Sequence, residues 1–167
     1  MAIKNRKELF IMLLSNVWQG AERSGKIYQD MCHIAQDKMI KEALEARVFV
    51  AHNTVKTLEE CFKLMGEKPV KLTSRLNDVF VEEFQKELAE IQSPDAKTLF
   101  ILTKASQLTH MRIGEYVALV AAADMIDHHG VSVLLQSICA EKVAFAERTR
   151  HFIRNLIEGK TAAKLAA

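Results

Sequence analysis

Ile40, Leu44, Val48, Ala51, Val55, Leu58, Phe62 and Met65 follow one another at spacings of 4, 4, 3, 4, 3, 4 and 3 residues. Such a run lays apolar side chains along one face of an α-helix and cannot fit a strand, whose faces alternate every second residue. A second stripe runs through Leu102, Ser106, Thr109, Ile113, Val117 and Val120. No stretch alternates with a period of two for long enough to make a strand. The chain is therefore expected to be all-α.

Punctuation divides it. Ser93-Pro94-Asp95 supplies an N-cap, a proline at the first helical position and an acid for the positive helix end. Asp37 is placed to cap the segment after it, and Gly66, Gly130 and Gly159 read as helix stops. The expected helices lie near 5–34, 37–65, 94–129 and 131–158, with a shorter one near 74–91. At ~1.5 Å per residue the four long helices span roughly 40–55 Å. Short links within each pair imply two antiparallel hairpins, with the middle segment carrying the chain between them. An antiparallel four-helix bundle with a short extra helix in its crossover satisfies these lengths. Residues 1–160 are read as one domain and 161–167 as a short tail.

The 167 residues are 49% apolar and 26% charged, with six glycines and two prolines, as suits a compact helical domain. A net charge of +2, with both signs interspersed, gives no basic patch for nucleic acid. The longest uncharged run, Leu9 to Ala21, is shorter than the ~20 residues that cross a bilayer. No secretory signal is recognised, so the expected location is cytoplasmic, with no membrane partner. Cys32, Cys61 and Cys139 are odd in number and far apart, which favours free thiols.

"LFIM" at 9–12 recurs as "LFIL" at 99–102, an offset of 90. Read as a pseudo-twofold repeat, this pairs Glu22 with Arg112 and His52 with Lys142.

The first helix, "ELFIMLLSNVWQGAER", "GEKP" after the second, and "THMRIGEY" in the next long helix together resemble the YciE/YciF family of ferritin-like proteins. The resemblance implies a ferritin-like bundle, a homodimer, a link to stress responses and a dimetal site between the helices. The family's aromatic-x-Ala-Glu motif is kept as Trp18-x-x-Ala21-Glu22, with the aromatic displaced. Its Glu-x-x-His keeps only His52, with Phe49 at the glutamate position. Leu108-Thr109-His110-Met111-Arg112 stands where the family has Val-Glu-His-Tyr-Glu, and the final Glu-Glu pair reads Glu141-Lys142.

A carboxylate-bridged dimetal centre in a bundle draws on about four carboxylates and two histidines. Glu22, His52 and Glu141 are the remnant metal positions, and Arg112 and Lys142 would repel a divalent ion. The expected arrangement is a polar cluster of Glu22, His52, Arg112, Glu141 and Lys142, with no metal, no cofactor and no catalytic residue. His52 alone admits three readings: a core-edge histidine, a ligand with Glu22 and Glu141 for one divalent ion, or a remnant in the cluster. The favoured function is a non-catalytic bundle acting through protein contact, with a second copy of itself or with a partner such as an effector or stress component. The rival is a metal-dependent oxidase, peroxidase or iron-handling protein of the stress response. Arg112→Glu is expected to restore some metal affinity on the cluster reading.

Overall fold

A computed structural model describes residues 3–72 and 75–158. It contains five helices: α1 (Arg6–Ile34), α2 (Lys38–Met65), α3 (Leu76–Glu90), α4 (Pro94–Asp124) and α5 (His129–Ile157). Among the described residues there is no strand. The expected stop at Gly159 and the tail 161–167 lie outside the described residues.

Local chemistry sets most of the ends. Asn5 accepts from the Glu8 N–H at 2.9 Å while the Glu8 carboxylate accepts from the Lys4 N–H at 2.8 Å. The Asn5 cap thus satisfies one orphaned N–H of the first turn of α1, and Glu8 ties the residue before the cap to it. Asp37 accepts from the Ile40 N–H at 3.0 Å, and Ser93 accepts from that of Ala96 at 3.5 Å with Pro94 next in line. Gly66 takes the left-handed conformation, φ 66°, that lets the Glu67 N–H close on the Phe62 carbonyl at 3.0 Å.

The expected helix 94–129 is shorter than proposed. Asp127, not Gly130, adopts the left-handed conformation (φ 58°), and the His128 N–H returns to the Ala123 carbonyl at 3.0 Å. Asp tolerates that conformation better than most residues, so it closes α4 where a glycine would be the usual choice. Gly130 therefore falls in the first turn of α5. His128 and His129 stand at the start of α5, with His129 Nδ1 3.6 Å from the Asp124 carboxylate, and not at the end of α4.

α1 packs along α2, and α4 along α5; the two hairpins meet through α1 against α4 and α2 against α5. Buried Phe10, Phe62, Leu119 and Val131 gather at one end, with Met31, Ile40, Leu44 and Ile101 at the other. α2 and α4 thus run in the same direction, and the crossover between them must travel the length of the bundle. It is tied down on the way: Ser15 accepts from the Val70 N–H at 2.9 Å. Phe84 of α3 is buried and stacks on Phe100 of α4 with ring centroids 5.6 Å apart.

The core face of α4 is Ile101, Ala105, Leu108, Arg112, Tyr116, Leu119 and Ala123. Of the stripe expected from sequence, Leu102 and Thr109 are buried, but Val117 is exposed. α4 is apolar on much of its surface, so periodicity alone does not select the inward face.

Core positions of the first hairpin reappear 91 residues later. Phe10 and Ile101, Leu14 and Ala105, Val17 and Leu108, Ala21 and Arg112, Leu44 and Leu135, and Ala51 and Lys142 are buried on both sides of the correspondence. The expected offset was 90. A slip of one residue turns a helix by about 100°, which moves an inward position to the flank.

Candidate functional site: a layer of buried cations

The two apolar clusters are separated by a polar layer near mid-bundle. Ser24 of α1, Arg47 and Thr54 of α2, Thr109 and Arg112 of α4, and Lys142 of α5 are all buried. The three cations are each only 3% exposed. Three fixed or potential positive charges in a low-dielectric interior repel one another strongly, and each must find compensation.

Arg112 is the best served. Its Nε donates to Ser24 Oγ at 3.2 Å, and its terminal nitrogens donate to Glu115 at 2.7 Å and to the Gly20 carbonyl at 3.2 Å. A further bond joins it to Asn77 of α3. The Ser24 hydroxyl in turn donates a hydrogen bond to the Gly20 carbonyl at 2.7 Å. The guanidinium lies so close to α1 that any side chain at position 20 must displace it: a Cβ there would sit 2.8 Å from the guanidinium carbon.

Arg47 is compensated differently. Its guanidinium lies 5.3 Å from the centroid of the Tyr28 ring and 5.0 Å from that of Phe145, within cation–π range. Tyr28 in turn donates to Thr109 Oγ1 at 2.9 Å, since Thr109 spends its proton on the Ala105 carbonyl. The Arg47 Nε is buried and has no hydrogen-bond partner. Lys142 holds its ammonium 5.0 Å from the centroid of Tyr116. Burial, followed by the neighbouring Arg47 and Arg112 charges, pulls the Lys142 pKa down to about 7. The Tyr116 phenol is pushed up, chiefly by burial.

The expected five-residue cluster does not form. Arg112 and Lys142 enter the layer, but Glu22, His52 and Glu141 are exposed. Glu22 and His52 line one groove, on the outside of the α1–α2 hairpin, beside Phe49, Asn53, Lys56 and Glu59. The physical cause is the register slip: Ala21 and Ala51 occupy the inward positions of α1 and α2, and their neighbours Glu22 and His52 are rotated out. His110 is also exposed, with Nδ1 2.8 Å from the Ser106 carbonyl, while Met111 packs against the apolar cluster around Met31 and Ile101.

Arg47 was not anticipated, although its position carried a signal. It lies three residues after Leu44 and four before Ala51, squarely on the stripe, where a cation among apolar residues marks a buried charge. Phe49 is 66% exposed, as its position off the stripe implied. Cys32, Cys61 and Cys139 are free thiols, and burial pushes that of Cys61 up to about 12.

The donor set does not fit the dimetal centre that the family resemblance implied. A divalent ion needs carboxylates and imidazoles, and the inward positions hold Ala21, Ala51, Thr54, Arg112 and Lys142 instead. Among the described residues no three His, Cys, Asp or Glu side chains converge on a common point.

Several solved structures share this fold. YciF, a stress protein of E. coli, superposes with a TM-score of 0.88 at 16% identity, over 93% of this chain and 99% of that one. YcfI of Rhodopseudomonas palustris, a candidate structural protein, gives 0.85 at 20% identity, over 89% of this chain and 94% of that one. A protein of Xanthomonas campestris gives 0.76 at 15% identity, over 93% and 96%. At these identities the likeness establishes the ferritin-like fold alone. No functionally curated protein matches the sequence. Residues 5–163 match the family described as "Domain of unknown function (DUF892)". The chain is thus a YciF-like, ferritin-fold member of the DUF892 family whose central layer carries cations.

Proposed function

We propose that this protein is a metal-free, non-catalytic bundle that acts through protein contact, in the first instance with a second copy of itself. The observation that carries the proposal is the central layer. Arg47, Arg112 and Lys142 are buried where a ferritin-like metal enzyme needs anionic ligands. A site of that charge opposes Fe²⁺, Mn²⁺ and Zn²⁺ alike, and what remains for function is the surface.

That surface offers an anchor. Phe49 projects from α2 beside a groove carrying Glu22 and Glu59 together with Lys56. An exposed aromatic is a common centre for an interface, and a groove bearing both signs of charge can complement itself across a twofold axis. A role in stress responses fits the description of YciF as a stress protein.

Protein grown in medium supplemented with iron and manganese should contain no stoichiometric metal by plasma mass spectrometry. Light scattering at tens of micromolar should return twice the 18.9 kDa chain mass, and Phe49→Ser should shift that value towards the monomer. Two metal ions per chain, or an iron-dependent oxidase activity, would overturn the metal-free part. A wild-type mass of one chain would overturn the self-association.

A further inference from the structure

A small cavity lies inside the polar layer, bordered by Ala21, Ala51, Thr54, Arg47, Tyr116 and Lys142 among others. It has room for the centre of about one water-sized particle, ≈ 10 Å³. We propose that this cavity is a binding site for a single monatomic anion, chloride or a heavier halide, held by Arg47 and Lys142.

Charge is the first argument. Arg112 is neutralised by Glu115 at 2.7 Å, and among the described residues no second carboxylate contacts the three cations. Deprotonating Lys142 would remove one of the two remaining positive charges. The other, on Arg47, cannot be removed, because a guanidinium keeps its proton in proteins. The faces of Tyr28 and Phe145 offset part of that charge, but ring quadrupoles do not neutralise it.

Unspent donors are the second argument. The Arg47 Nε–H is fully enclosed and unpartnered, and its side chain borders the cavity. A buried donor without an acceptor is costly, and a charged one more so. Thr54 donates to the Val50 carbonyl at 2.9 Å and Tyr28 donates to Thr109, so both oxygens keep lone pairs, yet neither accepts from the Arg47 Nε–H. The cavity thus carries positive charge that its lining does not neutralise, since the Ser24, Tyr28, Thr54 and Tyr116 hydroxyls are uncharged, and this suits an anion. Its size excludes phosphate, sulfate and carboxylates. A water could accept one hydrogen bond from Arg47 but would leave the charge uncompensated.

The inference rests on the metal-free reading of the layer, and metal analysis of the same sample separates the two. The intact protein is melted in sodium chloride, sodium bromide and sodium gluconate at equal sodium concentration. The expected result is a saturable rise in Tm with chloride or bromide that gluconate does not reproduce, as mass action requires for a ligand bound only to the native state. Arg47→Met, which keeps an unbranched apolar stem and removes the charge, should abolish the halide-specific rise. Should that variant fail to fold, crystals of the wild type soaked in bromide supply the second reading. An anomalous peak within hydrogen-bond distance of Arg47 Nε supports the site. Equal melting in halide and gluconate, or water in the cavity with no bromide signal, overturns it in metal-free protein without touching the proposed function. Stoichiometric metal would overturn both.

Discussion

Gly20 on α1 and Arg112 on α4 are fitted to each other: the guanidinium occupies the space that a Cβ on residue 20 would need, and it also binds the Gly20 carbonyl at 3.2 Å. In an open helix Gly→Ala is stabilising by about 1 kcal/mol. Here the methyl must displace a buried charge from its acceptors. Gly20→Ala is therefore expected to lower stability by roughly 1–3 kcal/mol despite the gain in helix propensity. Chemical denaturation of the two proteins measures this, and a more stable variant would show that the guanidinium moves aside freely.

Arg112 also fastens the crossover to the bundle, because Asn77 of α3 is one of its acceptors. Arg112→Ala takes this donor from Asn77 and Glu115 at once, while Ser24 still serves the Gly20 carbonyl, and should cost about 2–4 kcal/mol. Asn77→Ala removes only the link to α3. It should leave global stability closer to wild type while amide exchange across 76–90 accelerates. Unchanged exchange there would mean that Phe84 and its stacking on Phe100 hold α3 alone.

The helices were readable because their ends carry explicit chemistry: Asp37, Gly66 and Ser93-Pro94 each stand where the backbone needs them. The site was read one residue out of place. Glu22 and His52 are the residue types a metal site would use, and they drew attention away from Ala21 and Ala51, which face inward. Chemistry at a position can be read from one sequence, but the inward direction needs the helix phase, and a one-residue error swings it by about 100°. α4 made the phase hard to fix because Gly114, Val117, Ala118 and Ala121 are small or apolar yet exposed. Arg112, in turn, hid the true stripe by interrupting it with a charge.

The same phase argument reverses one expectation drawn from the sequence. Arg112→Glu was expected to recover some metal affinity by restoring a carboxylate where the family has one, near the remnant positions Glu22, His52 and Glu141. Those three side chains are exposed, so the new carboxylate would face Arg47 and Lys142 and pair with them. Addition of manganese should leave the Tm of Arg112→Glu unchanged. A manganese-dependent rise, absent from the parent, would mean that the layer can rearrange to gather ligands from outside.

Lys142 sets the pH dependence of stability. Its pKa falls from the ordinary 10.5 to about 7 on folding, first because burial disfavours the charged form and then because Arg47 and Arg112 repel it. Between those two values the unfolded chain binds more protons than the native one, so stability rises with pH. The increase from pH 7 to pH 9 is expected to be roughly 2 kcal/mol. Above pH 9 the sign changes for another group. The Cys61 thiol, raised from 9.0 to about 12 by burial, contributes stability that is lost as pH climbs towards its folded value, and it offsets the lysine. Lys142→Met should abolish the rise between pH 7 and 9 while keeping the loss above it. It should also be more stable than the parent at pH 7, because the burial cost of the ammonium is gone. Urea denaturation of both proteins at pH 7, 8 and 9 in gluconate buffer free of halide, where no bound halide can hold the ammonium charged, decides it. A parent whose stability is flat across that window would mean that Lys142 keeps its charge compensated in the folded state.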